Sequence, residues 1–513
     1  MLIKVGGESG LSYTAPIKTL HALVPDSYIS SKNHGMVMTA EENVSRMLGD
    51  HRRAIRGMAC SLLIALVVAE ANTFVDRAWC SGLGYDALAA IAVVAPVFMV
   101  ITSLGNGLGV GVASTIAWNL GSGDVGMSNR AARQALLFAI VFGAIISPIL
   151  VLTADWIITT ISTDDISDLA VTYYLPYAVC AWVLIINGTL SGMMRGEGAV
   201  RVNTTILCIM AVSNMILDPV FIYVLDLGLT GASIATMVSC GVSVSLGLWY
   251  FLSGNSYLRL TSARGLLDTR ALKPVLHVGV PQMTEYAIMY AMNVVLNHFV
   301  LVCGGAVGLT VYSVPNTIMS LVVIPAIAIG SALVSVASSA YGQGDMERMH
   351  SAFQYSVRLA VGVVTVLTVV VFLVPEPLLS LFTYSGDTVG LRDQMEVALR
   401  IYCLYIPFFA LIPVGSSMLQ SLGMPNKSVV QAIVRNLLLI ALYAIASTHS
   451  LEAIFWAVVI GEVIGGIMMH IVARRSFMKV VGNVPVGVSG DTSLSRRSNH
   501  VCFYSHNFII GFH

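Results

Sequence analysis

Residues 203–226, NTTILCIMAVSNMILDPVFIYVLD, are long enough and apolar enough to cross a membrane as one helix. The stretch nevertheless carries Asn214, Asp218 and Pro219 close together. A carboxylate at the centre of a membrane helix costs roughly 2.5–3.5 kcal/mol even on lenient insertion scales. The stretch therefore predicts a membrane span, and its carboxylate is the first candidate for a functional residue.

The composition of the whole chain agrees with a membrane protein. Of its 513 residues, 56% are hydrophobic and 11% are charged, whereas a soluble protein has about 25% charged residues. The formal net charge of +0 gives no indication of an acidic or nucleic-acid partner. The 8 cysteines are scattered singly, a pattern that favours small buried hydrophobic residues over metal or redox chemistry.

Stretches of about 20 mainly apolar residues recur along the chain, and each is predicted to span the membrane once. The predicted spans are 56–80, 87–117, 133–160, 168–194, 203–226, 230–253, 276–302, 307–338, 352–382, 394–420, 428–447 and 451–473. Basic residues, Arg195 among them, concentrate in every second connection, and the alternate connections carry few. Because Lys and Arg favour the cytoplasmic side, both termini are predicted to be cytoplasmic.

The two halves of the apolar region resemble each other. NLGSGD at 119–124 follows Pro96, and AYGQGD at 340–345 follows Pro315. Since each half contains an even number of spans, the halves keep the same orientation and are related by an axis along the membrane normal. The predicted fold is an all-α polytopic membrane protein with twelve transmembrane helices in two pseudo-symmetric six-helix bundles.

The predicted organisation follows from these patterns. It consists of a polar cytoplasmic extension at 1–50, an N-terminal lobe at 51–253, a cytoplasmic linker at 254–275, a C-terminal lobe at 276–475 and a polar cytoplasmic tail at 476–513. The extension has no apolar core of the length that a signal peptide needs, and the composition of the tail is typical of disorder. Two similar lobes facing each other across a cavity are typical of an alternating-access transporter.

Polar side chains from three neighbouring spans are predicted to lie at similar depth. At 1.5 Å per residue, Asp218 lies about 24 Å along its helix, in the outer half of the bilayer. Asp76 and Thr236 also fall in the outer half. Asn214 and Asp218 are four residues apart and share a helix face. Pro219 removes a helical hydrogen bond and predicts a kink.

This set of side chains is suited to reversible binding of a cation or a proton. Carboxylate, amide and hydroxyl oxygens are ligands for a small hard cation, and paired carboxyl groups away from water retain a proton. The alternatives for Asp218 are a helix cap or a position near the interface, and membrane threonines such as Thr236 commonly bond to their own helix. No metal is predicted beyond Na⁺ at Asp76, Asn214, Asp218 and Thr236, and no cofactor is predicted.

Other polar residues in the spans allow two interpretations. Glu285 is either a functional group of the second lobe or a structural partner, and Glu462 is predicted to form a structural ion pair with Arg435. GNGLGVG at 105–111 favours close helix packing, since no strand or phosphate-binding Lys accompanies it. The sequence contains no Walker motif, nucleophile elbow or HExxH motif, which argues against an ATP-driven pump and against most membrane enzymes.

At these residues the sequence resembles the multidrug and toxic compound extrusion (MATE) family, particularly its prokaryotic branch related to the DNA-damage-inducible F proteins. The resemblance covers about 50–475 and is carried by FVDRAWCSGLGYDALAAIAVVAPVF (74–98), RGEG (195–198) and NMILDPVFIYVLDLGLTGASIAT (214–236). It implies two six-helix bundles that export organic compounds in exchange for protons or sodium ions. It also matches Asp76, Asn214, Asp218 and Thr236 to the family's cation-binding residues.

The sequence departs from the family's pattern at some of these positions. Related sequences often have tyrosine where Asn72 stands, so Asn72 would add an amide ligand to the cation site. Glu285 matches the acidic signature of the C-terminal lobe only loosely, since it does not fall at the expected place after Pro281.

The predicted function is therefore secondary active transport rather than catalysis. A proton- or sodium-coupled antiporter in the cell membrane would export a small organic, cationic or amphipathic compound, and a monomer would suffice. One alternative is a lipid-linked oligosaccharide flippase of the wider superfamily, which would need an arginine-lined cavity. From a different class, a receptor would need a sensing domain, and a membrane-embedded enzyme would need a catalytic partner such as His298 or His470.

Overall fold

The computed structural model describes residues 39–162, 164–260, 268–380, 383 and 390–482. The predicted extension up to residue 38, part of the linker and the tail after residue 482 lie outside these residues. Every regular element in the described ranges is helical.

The described residues of the first half form nine α-helices. They are α1 (Ala40–Leu48), α2 (His51–Ser81), α3 (Tyr85–Gly121), α4 (Val125–Leu152), α5 (Ala154–Ile161), α6 (Asp164–Val179), α7 (Ala181–Gly196), α8 (Val200–Pro219) with a π-helical turn at Val220–Val224, and α9 (Gly228–Leu252). The helices that the structure describes in the second half are α10 (Thr269–Gly305), α11 (Val307–Gln343), α12 (Met346–Leu373), α13 (Pro375–Ser380), α14 (Arg392–Cys403), α15 (Ile406–Phe409), α16 (Leu411–Ser421), α17 (Pro425–Ala446) and α18 (Leu451–Gly482).

These helices confirm the predicted twelve spans. In the described residues, 10 helices are long and apolar enough to cross a membrane unbroken, and two bent pairs complete the set. The bent spans are α6 with α7, at 50°, and α14 with α15 and α16, at 44°. Each is the fourth span of its half, so the bend itself is repeated between the two halves.

Several boundaries differ from the predicted ones. The third span begins at Val125 instead of residue 133, because the Asp124 carboxylate caps the helix and accepts from the Met127 amide at 2.8 Å. α10 begins at Thr269, inside the predicted linker, where Asp268 serves as the cap. Within the segment predicted as a polar extension, α1 is helical and buries Val44 and Met47 on one face.

The G-x-G-D repeat builds the same turn in both halves. Asp124 ends one copy, and Asp345 ends the other by accepting from the Arg348 amide at 2.8 Å. The glycines before the two aspartates, Gly123 and Gly344, have φ values of 80° and 73°, a left-handed conformation that favours glycine. The sequence repeat is therefore a structural repeat.

The spans that lead into these turns, α3 and α11, cross each other through glycines. A Cβ on Gly121 would overlap the carbonyl oxygen of Ser339, and a Cβ on Gly342 would overlap that of Trp118. Ser339 lies three residues before Gly342, and Trp118 lies three residues before Gly121. The two contacts are therefore equivalent, as expected at a two-fold axis. This crossing lies on the side of the molecule that carries α1 and the inter-lobe linker, which we call the linker side.

The lobes also meet tightly elsewhere in the linker-side halves of their spans. Ser114 Oγ lies 3.0 Å from Ser338 Oγ, and a Cβ on Gly111 would overlap the Val275 carbonyl oxygen. Farther from the linker side, α10 is more exposed, and Val294, Leu301 and Val302 lie at the surface. The space between the lobes is therefore closed on the linker side.

Candidate cation-binding site

A chain of amide and carboxylate groups joins α2 to α8. Asn72 Nδ2 donates to Asn214 Oδ1 at 2.8 Å, and Asn214 Nδ2 donates to Asp218 Oδ1 at 2.6 Å. Asn214 and Asp218 are 3% and 0% exposed. The predicted shared face of these two residues is confirmed, and Asn72 lies next to them.

Oxygen atoms in this cluster lack hydrogen-bond donors. Asn72 Oδ1, Asp76 Oδ1 and Asp218 Oδ2 are buried with no partner among the described residues. Asp76 and Asp218 are also close enough to repel each other electrostatically. A buried polar atom without a partner costs about 1–3 kcal/mol, and more when it is charged. A bound proton or cation would relieve both penalties at once.

Two tyrosines and a cysteine close the site on its other sides. Tyr177 donates to the Tyr173 hydroxyl at 3.0 Å, and both phenols lie within electrostatic range of Asp76. Cys80 is fully buried near both carboxyl groups. The sequence analysis missed the tyrosines, although their spacing of four residues in an apolar span is a signal for a shared helix face.

Thr236 lies at the edge of this cluster, within reach of Tyr177. Its hydroxyl donates to the Ala232 carbonyl oxygen of its own helix at 3.0 Å. The side chain therefore has the bond to its own helix that the sequence analysis gave as an alternative.

The backbone after Asp218 widens without breaking. α8 runs through Asp218 to Pro219, and the π-helical turn Val220–Val224 follows directly. Because Pro219 lacks an amide hydrogen, the predicted kink takes the form of this wider turn. Tyr223 in the turn donates to the Trp79 carbonyl oxygen at 2.6 Å, which fixes the end of α8 against α2 beside Asp76.

Glu285 belongs to a separate cluster in the second half. Its Oε2 atom accepts from Ser416 Oγ at 3.0 Å and from Ser428 Oγ at 2.9 Å. The predicted ion pair between Arg435 and Glu462 is confirmed, with Nη1 and Oε2 2.9 Å apart. The structure therefore brings Asn72, Asp76, Asn214 and Asp218 together and places Glu285 elsewhere.

Twelve membrane spans in two related halves, with buried oxygens that lack donors in the first half, are typical of a membrane transporter. The family model MatE matches residues 61–220 and 281–445. The chain therefore belongs to the MatE family.

Similar proteins and structures agree with this membership. A protein named FAD transporter from Shewanella oneidensis is 24% identical over 437 residues, which are 82% of this chain and 94% of that protein. The multidrug export protein MepA from Staphylococcus aureus is 22% identical over 385 residues, 73% of this chain and 82% of its own. A solved structure described as the outward-facing conformation of a multidrug resistance MATE family transporter has a TM-score of 0.82 and 25% identity, and covers 86% of this chain and 99% of that one.

Proposed function

We propose that this transporter is a cation-coupled antiporter that exports a small amphipathic organic compound, and that Asn72, Asp76, Asn214 and Asp218 bind the coupling H⁺ or Na⁺. The observation that carries the proposal is the set of unpartnered buried oxygens on Asn72, Asp76 and Asp218. Ionisable groups inside a membrane protein commonly mark ion pathways. The names of the relatives cover both multidrug export and FAD transport, so they leave the substrate class open.

α2 provides the link between the cation and the opposite lobe. Its outer half carries Asn72 and Asp76, and its inner half packs Ile55, Met58 and Leu62 into the hydrophobic core of the second half. A cation that reduces the repulsion between the two carboxylates draws α2 toward α8. The same movement changes the packing of α2 against the other lobe.

The direction of transport follows from the charge pattern. The basic connections put the linker side in the cytoplasm, so this conformation is closed to the cytoplasm. A cation that arrives from outside then binds the cluster and favours the return to the inward-facing state. To drive export, the cation must bind the two states with different affinities.

The remaining predicted residues have smaller roles in this proposal. The Thr236 hydroxyl is already bonded to its helix, and the Glu285 carboxylate accepts from two serines. We propose that Thr236 packs beside the site and that Glu285 stabilises the second lobe.

Transport in proteoliposomes tests this proposal. A fluorescent amphipathic dye is loaded, a proton gradient or a sodium gradient is imposed separately, and dye and ion fluxes are both measured. We expect dye movement to follow one of the gradients in the wild type and to lose that dependence in Asp218→Asn. Asp226→Asn is the matched control, because Asp226 is exposed and Asn tolerates its φ of 52°. Wild-type rates in Asp218→Asn would contradict the proposal.

A further inference from the structure

Arg195 lies where helices of both lobes meet. It is close to the end of α7, and its carbonyl oxygen accepts from Ser335 Oγ of α11 at 2.9 Å. Its Nη2 atom would lie 3.3 Å from a Cβ on Gly109 of α3. Because Gly109 has no side chain, the guanidinium passes along α3 toward the space between the lobes.

The guanidinium of Arg195 has no anionic partner in the described part of the chain. Its Nε atom is buried without a hydrogen-bond acceptor, and none of the ion pairs formed by the described residues involves it. Arg435, in the interior of α17, is by contrast paired with Glu462 at 2.9 Å. Arg195 is half-buried, and a half-buried guanidinium between the lobes with no carboxylate partner in the described ranges is placed to bind a ligand that brings the negative charge.

Aromatic side chains continue from Arg195 away from the linker side. Tyr286 of α10 is the titratable group within electrostatic range of the guanidinium. Tyr290 follows it four residues later, about 6 Å farther along the helix, and lies within electrostatic range of Glu70 on α2. Arg195, Tyr286, Tyr290 and Glu70 therefore form a column between the lobes, which begins just above the closed linker side.

We propose that this column binds the transported compound, and that Arg195 holds a single carboxylate or phosphate group of an aromatic substrate. A guanidinium binds either anion through two parallel hydrogen bonds, and the two phenol rings suit an aromatic body. Glu70 at the far end accommodates a cationic group, so a zwitterion fits the column and a purely cationic compound does not. This inference rests on the proposed transport function and replaces the expected cationic substrate by an anionic or zwitterionic one.

Two dyes that differ at one group test the inference. Rhodamine B carries a free carboxylate, and its ethyl ester has the same ring system without it. Binding of each dye to the purified full chain is measured by fluorescence anisotropy. We expect Arg195→Gln to weaken rhodamine B binding about 10-fold or more, since a charge-assisted bidentate contact is lost, and to leave binding of the ester within about two-fold.

Further variants separate the role of Arg195 from folding and from ion coupling. Arg195→Lys keeps the charge and should recover part of the preference for the acid. Arg201→Gln, at an exposed position of α8, removes one positive charge outside the column and should bind both dyes as the wild type does. Asp218→Asn should keep the dye preference while losing gradient-driven transport, so the two proposals fail separately.

The same measurements define the contrary results. An unchanged ratio of acid to ester affinity in Arg195→Gln would overturn the inference, and so would a wild type that binds the ester more tightly than the acid. If Arg195→Gln does not purify as a single species, the Arg195→Lys variant and the wild-type dye ratio decide the question.

Discussion

The buried carboxylates of the two lobes have opposite surroundings. In the first lobe, Asp76 and Asp218 repel each other and each keeps a buried oxygen without a donor. In the second lobe, Glu285 accepts from two serine hydroxyls, and Glu462 pairs with Arg435. The pseudo-symmetric scaffold therefore carries one site whose carboxyl groups keep oxygens without donors and one whose carboxylates are bonded to neighbouring side chains.

This difference separates a functional charge from a structural one. A buried network whose members are all bonded stiffens the lobe that contains it, whereas a partly satisfied network costs free energy until a ligand completes it. The unpartnered carboxyl oxygens therefore give the first lobe a free-energy reason to bind a cation, whereas the bonded carboxylates of the second lobe give it none. Substitutions in the two lobes should differ accordingly.

The largest expected contrast is in transport. Asp76→Asn should lower gradient-driven dye transport roughly 100-fold, the upper range of coupling between sites, because the coupling cation loses a carboxylate ligand. Glu285→Gln should stay within about three-fold of the wild type, since an amide oxygen still accepts from the serines. Initial rates in proteoliposomes, normalised to protein content, measure both. Similar losses of transport rate in Asp76→Asn and Glu285→Gln would contradict the proposed difference between the lobes.

The next largest effect is on stability, which should fall on substitution of the paired carboxylate in the second lobe and should not fall on substitution in the first lobe. Glu462→Gln leaves Arg435 buried without its counter-charge and should lower the free energy of unfolding by roughly 3–5 kcal/mol. Asp218→Asn removes a repulsion and should leave stability equal or higher. Thermal unfolding of the two variants in the same detergent shows the difference in Tm. A destabilised Asp218→Asn beside an unaffected Glu462→Gln would contradict the assignment.

Glu197, outside the spans, is a buried carboxylate whose hydrogen bonds only partly offset the effect of burial. Its carboxylate accepts from Tyr250 Oη and Ser256 Oγ, both at 2.7 Å, and from the Leu258 amide at 3.2 Å. Burial raises the pKa of Glu197 to about 7, although these hydrogen bonds lower it. Because the folded pKa lies above the unfolded value, this group stabilises the fold most at low pH, and the contribution is lost as the pH rises through about 7.

Replacing Glu197 by Gln should remove this pH dependence. Between the unfolded pKa and about 7, the wild type should lose on the order of 3 kcal/mol that Glu197→Gln keeps. Unfolding followed across this pH range provides the measurement, with Glu347→Gln, at an exposed position of α12, as the control. Parallel stability curves for wild type and Glu197→Gln would show that burial does not shift this carboxyl group.

The smallest expected effect is at Thr236. Its hydroxyl is bonded to the Ala232 carbonyl oxygen, so Thr236→Val should change the cation dependence of transport by no more than about two-fold. Asn72→Leu, which removes a proposed amide ligand, is the comparison. If Thr236→Val shifts the half-saturating cation concentration as much as Asn72→Leu does, Thr236 is a cation ligand.

Local patterns in the sequence predict much of this molecule. Apolar length predicts the spans, the G-x-G-D turns predict the repeat, and spacing predicts the shared face of Asn214 and Asp218. The bend in the fourth span of each half is not predicted from apolar length, although a proline lies at each break: Pro176 comes four residues before Cys180, and Pro407 lies in the first turn of α15. The kink at Pro219 is predicted, and its form as a wider turn is not, since that depends on the packing of Tyr223 against α2.

The location of the Arg195 side chain is not predicted by the sequence. In the sequence Arg195 is one basic residue of a connection, and it supports the orientation of the chain. Its long side chain can reach far from its own Cα atom, and the direction depends on the close approach of α3 and α7 through glycines. Only the packing of both lobes reveals that the charge lies between them.

Cation uptake by the purified, substrate-free protein tests the central claim most directly. Binding of radioactive sodium and potentiometric proton uptake are measured for the wild type, for Glu285→Gln and for the double variant Asp76→Asn/Asp218→Asn. The account predicts that wild type and Glu285→Gln take up the same amount of one of these cations and that the double variant loses this uptake. Equal uptake by the double variant and the wild type would contradict it.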